Sequence, residues 1–159
     1  MSRRAPLAVP VAVAVVVAMV VAGLLGLAGC GGDEDPFEAY CDEVKERQAA
    51  LSEDLAGGSA TALIEALPEF EALKAKSPDD LRDEWATVTR RIEALKDALE
   101  DAGVDPATYD RKHPPAGVTK AQRRAIEAAA RALATPEMAA ALDGVEQQAR
   151  DVCRTPLVL

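Results

Sequence analysis

Histidine is nearly absent from this chain of 159 residues, because His113 is the only one. A zinc site needs several His or Cys ligands, and a catalytic serine needs a nearby histidine as its base. The glycine-rich motifs that bind phosphates or dinucleotides are also missing. We therefore predict that the protein is not an enzyme, and we expect no catalytic residue, no cofactor and no metal ligand. His113, between Lys112 and Pro114, is interpreted as a solvated loop residue.

Aromatic residues and positive charge are also scarce. Aromatics make up 3% of the chain and offer few surfaces on which bases or sugars can stack. All 27 acidic residues lie after Cys30 but only 16 of the 18 Lys and Arg residues do, so this part carries a formal charge of −11. That balance argues against nucleic acid and against a polybasic grip on lipid headgroups. The spacing of Asp101, Asp105 and Asp110 is not that of a calcium-binding EF-hand loop, and these residues are interpreted as caps and solvated surface.

Charge of either sign is missing from residues 5–28, a run dominated by Ala, Val and Leu. The run follows Arg3 and Arg4 and ends in small residues, which is the order typical of a secretory signal. It is also long enough to cross a bilayer of about 30 Å as an uncleaved helix, so this alternative stays open. Ser2-Arg3-Arg4 is similar to the start of a twin-arginine export signal, although Pro6 stands where that motif prefers a large apolar residue.

The tetrapeptide Leu27-Ala28-Gly29-Cys30 closes this run and resembles the lipobox of bacterial lipoproteins. The resemblance implies cleavage before Cys30 and a diacylglyceryl group on its thiol, which would hold the protein at the extracytoplasmic face of the cell membrane. It divides the chain into a signal peptide over residues 1–29, a lipidated cysteine and tether over residues 30–35, and a helical domain over residues 36–159.

Only three cysteines occur. With Cys30 assigned to lipid, Cys41 and Cys153 remain as the one pair in an exported, disulfide-permissive setting. A bridge between them closes a loop of about 110 residues, for which chain entropy predicts a stabilisation near 4–5 kcal/mol. Two buried free thiols are the alternative, and the absence of a C-x-x-C motif disfavours a redox-active pair.

Apolar residues recur at steps of three and four along most of residues 36–102, which predicts three helices. The first begins at Asp35-Pro36 and ends at Gly57-Gly58, with Gln48 at the edge of its apolar stripe. The second covers residues 59–76 and is expected to kink at Pro68. The third starts with Ser77 as its N-cap, ends at Gly103, and has the most regular seam, formed by Leu81, Trp85, Val88, Ile92, Leu95 and Leu99.

The second half of the chain predicts an irregular segment over residues 104–117, with one helical turn near its start. Thr119 and Gln122 then form a capping box for a helix whose buried face is mostly alanine. That predicted face is Ala121, Ala125, Ile126, Ala129 and Leu133. Pro136 is expected to break or bend the chain before a last helical stretch that runs to Val152.

These patterns predict an all-α fold without strands. Cys41 lies near the start of the first helix and Cys153 at the end of the last, and these points meet in an up-and-down bundle only if the number of rods is even. We therefore predict an antiparallel four-helix bundle with kinks at Pro68 and Pro136, tied by the single disulfide. A short fourth helix lying across the bundle is the alternative.

Several stretches together are similar to small, alanine-rich, exported or lipid-anchored proteins of Actinobacteria. The stretches are Tyr40-Cys41-Asp42, Ser77-Pro78-Asp79-Asp80-Leu81 with Asp83-Glu84-Trp85, residues 102–110 and residues 152–157. The resemblance implies a location and no catalytic residue. We expect a non-catalytic module that binds a protein or another component of the cell envelope. A carrier that holds an apolar small molecule in a cavity of the bundle is the alternative.

Overall fold

Helices form all the regular structure that the computed structural model describes, which covers residues 36–56 and 61–158. Six α-helices and one 3₁₀ turn, Asp79–Leu81, occur in these ranges, and no strand does. The helices are α1 Pro36–Ala56, α2 Ala62–Glu65, α3 Leu67–Lys76, α4 Arg82–Asp101, α5 Lys120–Ala132 and α6 Pro136–Asp151. The predicted all-α class is confirmed for this part. The signal peptide over 1–29, Cys30 and the tether over 30–35 lie outside the described residues.

Helix α1, described over Pro36–Ala56, coincides with the first predicted helix, whose start signal Asp35 and stop Gly57-Gly58 lie outside the described residues. Tyr40, Val44 and Leu51 are fully buried on one face, at the spacing of a helix that packs along one side. This face contacts α2 and α3. The helix therefore contributes its stripe to the main apolar core, which also includes Phe70, Leu73, Trp85 and Val145.

The predicted helix over 59–76 differs from the structure, which has α2 and α3 separated at Ala66. Pro68 stands in the first turn of α3 and not inside a continuous helix. A proline has no N–H to donate, and the first turn is where that donor has no partner within the helix. The chain therefore ends one helix and begins another instead of bending one.

The prediction that Ser77 caps α4 is wrong. Ser77 follows the last residue of α3, and its hydroxyl donates to the carbonyl of Lys74 at 2.8 Å. Pro78 then runs extended into the 3₁₀ turn, and α4 starts only at Arg82. Because a residue before proline is pushed out of the helical region, Ser77 terminates the preceding helix.

Helix α4 is the central element of the described fold, because it contacts α2, α3, α5 and α6. The predicted seam is confirmed: its six side chains from Leu81 to Leu99 are all buried. Near the C-terminal end of α4, Leu95 and Leu99 form a second apolar cluster with Ile126 of α5. Burial of each large apolar side chain of this kind contributes roughly 1.5–3 kcal/mol.

Gly103 ends α4 as predicted, with a positive φ of 65°. Its N–H donates to the carbonyl of Glu100 at 2.8 Å, and the N–H of Val104 donates to that of Leu99 at 3.1 Å. These two bonds form a Schellman motif, in which glycine supplies the left-handed residue. The predicted irregular segment follows, and a turn that begins at Asp105 replaces the expected helical turn.

Two helices, α5 and α6, occupy the stretch where the sequence predicted one rod bent at Pro136. Thr135 is extended, with φ −86° and ψ 154°, and serves as the N-cap of α6. The capping box of Thr119 and Gln122 at the start of α5 is confirmed. The predicted alanine face is wrong in part, because Ala121 and Ala125 are exposed and Ile126 is the buried residue of α5. Alanine is too small to fix which side of a helix is covered.

Candidate functional site

A covalent bond joins the two ends of the described chain. Cys41 in the second turn of α1 and Cys153 after α6 form a disulfide with 4.9 Å between their Cα atoms, so the predicted bridge is confirmed. Arg154 follows with a φ of 56°, and this left-handed residue turns the chain back after the helix.

The segment 153–157, which we call the C-terminal clasp, is also held by hydrogen bonds. Gln48 on α1 donates its Nε2 to the carbonyl of Pro156 at 2.8 Å, and the N–H of Leu157 donates to Oε2 of Glu146 at 3.1 Å. Leu157 is buried in the main core. Gln48, interpreted from the sequence as an edge residue, therefore ties α1 to a segment 108 residues away.

The largest buried aromatic side chains share one polar contact. Trp85 donates its Nε1–H to the Tyr40 hydroxyl at 3.2 Å, and both side chains are fully buried. The Phe70 ring lies 5.9 Å from the Trp85 ring, centroid to centroid. Burial raises the pKa of Tyr40 to about 12, although the hydrogen bond from Trp85 opposes this rise. The hydroxyl thus stays neutral and structural, which does not suit a proton-transfer group at neutral pH.

A second buried polar contact lies one turn further along α4. Thr89 is fully buried, and its hydroxyl donates to the carbonyl of Trp85 at 2.9 Å while accepting a hydrogen bond from Lys74 Nζ at 3.0 Å. A buried hydroxyl needs such partners, because an unpaired one costs free energy. The pair therefore fastens α3 to α4.

Arg91 organises the junction of α5 and α6. Its Nη1 donates to the carbonyl of Ala132, the last residue of α5, at 2.6 Å and to the Thr135 hydroxyl. That hydroxyl also accepts from the N–H of Met138 and so caps α6. The guanidinium reaches Glu137 at 3.9 Å. The pKa of Glu137 is lowered mainly by a hydrogen bond from its own backbone, with the Thr135 hydroxyl and Arg91 as further causes.

His113 is exposed, as interpreted from the sequence, and its Nδ1 lies 2.8 Å from Oδ2 of Asp110. This contact and the N–H of Lys112 hold the pKa of Asp110 below its usual range. Asp105 likewise accepts from the N–H of Ala107 at 2.8 Å. Both aspartates therefore order turns of the loop. No group of His, Cys, Asp and Glu within residues 36–56 and 61–158 has the arrangement of a metal site.

Surface clefts of the described chain are open and partly charged. One of about 300 Å³ lies between α4 and α6 and is lined by Asp83, Glu84, Glu137 and neighbouring Thr and Ala residues. Another of about 520 Å³ is lined by Arg111, Glu127, Ala130, Arg131 and Ala134. Neither offers the apolar interior that the carrier hypothesis requires.

One surface departs from the acidic character of the chain. Six basic residues and a single acidic one, Glu127, fall between positions 111 and 131. We call these six side chains the basic face: Arg111, Lys112, Lys120, Arg123, Arg124 and Arg131. They are exposed except for the half-buried Arg123. The charge summed over the whole chain hides this face, whereas a count over a short window of sequence would reveal it.

No family model matches the chain, and neither a curated protein nor a solved structure is detectably similar to it. The helices in the described ranges fall short of the length and apolar character that a membrane crossing requires.

Proposed function

We propose that this protein is a lipid-anchored module on the extracytoplasmic face of a bacterial cell membrane, where it binds a component of the envelope and catalyses no reaction. The observation that carries this proposal is the Cys41–Cys153 disulfide. Structural disulfides persist in oxidising compartments and are rare where thiols are kept reduced. The bridge uses two of three cysteines and leaves Cys30, at the end of the apolar run, as the residue available for lipid.

The proposed anchor would lie close to the domain. Five residues separate Cys30 from Pro36, where α1 begins. An extended chain spans at most about 3.6 Å per residue, so the tether reaches roughly 20 Å. The start of α1 would then stay near the bilayer, and the Cys41–Cys153 bridge would lie at that end of the domain.

The proposal includes the four-rod arrangement in its finer form. The rods would be α1, α2 with α3, α4, and α5 with α6. Contacts of α4 with both α5 and α6 support treating the last two as one rod. Gln122 near the start of α5 donates to the carbonyl of Asp101 at the end of α4, and Ala132 at the end of α5 contacts Arg91 further back along α4. Antiparallel packing of these two rods accounts for both contacts.

A binding role fits the way polar side chains are used. Tyr40, Trp85 and Thr89 hydrogen-bond inside the core, and Arg91 fastens a helix junction. Each of these groups is committed to holding the fold. The resemblance to lipid-anchored actinobacterial proteins agrees with this role, since it implies location without a catalytic residue.

Replacing Cys30 tests the anchor. In a producing bacterium fed labelled fatty acid, we expect the wild-type protein to take up label, lose residues 1–29 and fractionate with membranes. Cys30→Ala removes the acceptor thiol, so its label should vanish and its membrane association should change. The matched control is the double variant Cys41→Ser/Cys153→Ser, which should keep label and membrane association. An unlabelled wild-type protein that still contains Met1 would contradict the proposal.

A further inference from the structure

The basic face holds cations that the rest of the fold leaves unpaired. Arg131 lies 3.7 Å from Glu127, but the other five side chains form no ion pair with any residue of the described ranges. Outside the face, Lys74, Lys76, Arg90 and Arg154 likewise form no ion pair within the described ranges, but they are dispersed along the chain. The other basic side chains of these ranges pair with carboxylates, and they are Lys45, Arg47, Arg82, Arg91, Lys96 and Arg150. In a chain with so many acidic residues, a group of basic side chains without carboxylate partners is typical of a binding site for an anionic ligand.

The arrangement of charge along α5 opposes helix stability. A helix N-terminus is positive, and acidic residues favour it. The first turns of α1, α3, α4 and α6 contain such residues, whereas that of α5 contains none. Lys120, Arg123 and Arg124 crowd this end instead. An anion bound across these side chains would offset this conflict.

A concave site adjoins these residues. Arg111 from the loop and Arg131 from α5 line the cleft of about 520 Å³, together with the small side chains of Ala130 and Ala134. Glu127 also lines it and pairs with Arg131 at 3.7 Å, so Arg111 is the cation of the cleft that has no carboxylate partner in the described ranges. Guanidinium groups present planar sets of N–H donors that match phosphate oxygens in pairs. Small residues beside them leave room for a bulky group. The cleft therefore has the donors and the space for a phosphate-bearing ligand.

The surroundings of this face disfavour a protein partner. Specific protein interfaces contain a core of aromatic and large apolar side chains. In the described ranges, the exposed large hydrophobic residues are Val152 and Val158, and neither belongs to the basic face. A hydrated polyanion needs no such core, because charge and released counterions supply the affinity.

The position of the face disfavours the membrane itself. The start of α5 lies beside Asp101, which follows Trp85 by 16 residues of α4, or about 24 Å at 1.5 Å per residue. Trp85 contacts Tyr40 near the start of α1, where the proposed tether attaches. The potential of a lipid surface decays within about 8–10 Å at physiological salt. The start of α5, with Lys120, Arg123 and Arg124, would therefore lie at the end of α4 that is farther from the proposed tether.

From this charge complementarity we propose that the basic face binds a phosphate-bearing polymer of the cell envelope. Arg111 and Arg131 bind one phosphate group in the cleft, and Arg124 binds a neighbouring phosphate group. This inference rests on the proposed function for the location of the ligand. The binding of phosphate by these arginines does not depend on the proposed function and can be measured on the isolated protein.

The test uses the full-length protein in a mild neutral detergent, with inorganic polyphosphate as the probe. We expect binding at low salt that weakens as salt is added. The triple variant Arg111→Gln/Arg124→Gln/Arg131→Gln should bind at least about tenfold more weakly, with a log–log salt slope shallower by about 1.4, because the two proposed phosphate contacts contribute roughly 0.7 each. The control Lys45→Gln/Arg82→Gln/Arg150→Gln removes the same charge from exposed positions elsewhere and should retain affinity. Circular dichroism should show that both variants stay folded.

A second variant separates guanidinium geometry from charge. Arg111→Lys/Arg124→Lys/Arg131→Lys keeps three cations, so we expect affinity between those of the wild-type protein and the Gln variant. The inference is overturned by no polyphosphate binding, by equal losses in the Gln variant and its control, or by equal affinity for poly-L-glutamate of matched charge, which would indicate an acidic protein partner. It is also overturned if vesicles of phosphatidylglycerol, but not phosphatidylcholine, displace polyphosphate. An unlabelled Cys30 with polyphosphate binding intact would defeat only the proposed anchor.

Discussion

Tyr40 places a phenolic hydroxyl where water does not reach it, and Trp85 supplies its hydrogen bond at 3.2 Å. Removing either partner would destabilise the fold, because a buried polar group without a hydrogen bond costs about 1–3 kcal/mol. The same burial keeps the hydroxyl neutral and raises its pKa to about 12 from the ordinary value of 10.0. A contact that stabilises the core at neutral pH is therefore also a point of weakness in alkali.

This pKa predicts how stability falls at high pH. The neutral Tyr40 contributes its full stabilisation below pH 10, and that contribution is lost as the pH rises through about 12. Tyrosinate absorbance in the near ultraviolet should show one tyrosine ionising late and together with unfolding. Tyr40→Phe should abolish that late phase, whereas Tyr109→Phe should retain it. A late phase that persists in Tyr40→Phe would refute the assignment.

Residue spacing predicted which side chains are buried but not their partners. The steps of three and four placed Tyr40 and Trp85 on apolar faces, and both are buried. Their hydrogen bond joins residues 45 positions apart, which no local pattern encodes. The contact of Gln48 with Pro156 escaped prediction for the same reason.

Junctions between helices depend on side chains donated by a third element. Arg91 projects from α4 to the last carbonyl of α5 and to the capping hydroxyl of α6. The last carbonyls of a helix have no partner within it, so an external donor satisfies one of them. One guanidinium thus holds the relative positions of two helices that flank an extended residue, Thr135.

Arg91→Met should loosen this junction, because methionine keeps an apolar stem and loses the donors. We expect a destabilisation of about 1–2 kcal/mol, toward the lower end of the roughly 1.5–3 kcal/mol typical of charged hydrogen bonds, because Arg91 is partly solvated. Urea denaturation measures the change, and amide hydrogen exchange at Ala134 and Met138 locates it. Arg90→Met is the control, since Arg90 donates to Ala86 within its own helix. Equal effects of the two substitutions would show that Arg91 does not hold the junction.

Prediction of elements from sequence succeeded where signals were local and unopposed. The capping box of Thr119 and Gln122 and the glycine at position 103 fixed their helix ends. It failed at Ser77, where a good N-cap residue precedes a proline that forces it to end α3 instead. Pro136 was ambiguous in sequence, because whether a proline bends a helix or starts a new one depends on donors such as Arg91 from elsewhere.

The whole domain is closed by its bridge, which spans 112 positions of sequence. A crosslink of this span removes conformational freedom from the unfolded chain. The C-terminal clasp adds two hydrogen bonds and the buried Leu157 at the same place. In the described domain, the start of α1 and the C-terminal clasp are therefore held together by covalent, polar and apolar contacts.

Removal of the bridge should cost several kcal/mol. For Cys41→Ser/Cys153→Ser we expect a loss of up to about 4–5 kcal/mol in the free energy of unfolding, as chain entropy predicts for a loop of this size. Urea denaturation with and without a reducing agent measures it. Reductant should destabilise the wild-type protein and the Cys30→Ser control alike and leave the double variant unchanged. A wild-type protein insensitive to reductant would contradict the structural role of the bridge.

At the scale of the molecule, the sequence predicted the fold class and the pairing of cysteines but concealed the distribution of charge. Summed charge described an acidic protein. A count over a short window would show the excess of basic residues, but only the fold brings the loop residue Arg111 to the same cleft as Arg131 of α5, 20 positions later. Composition fixes the total charge, whereas the fold decides which charges gather.

The span of the disulfide has a consequence for proteolysis. A protease that cuts the exposed loop between α4 and α5 leaves Cys41 on one fragment and Cys153 on the other. The two pieces stay on one covalent molecule until a reductant separates them. After such a cut, the fragment that contains α5 and α6 would stay bonded to the fragment that contains α1 to α4. The cut would be detected on a reducing gel but not on a non-reducing one.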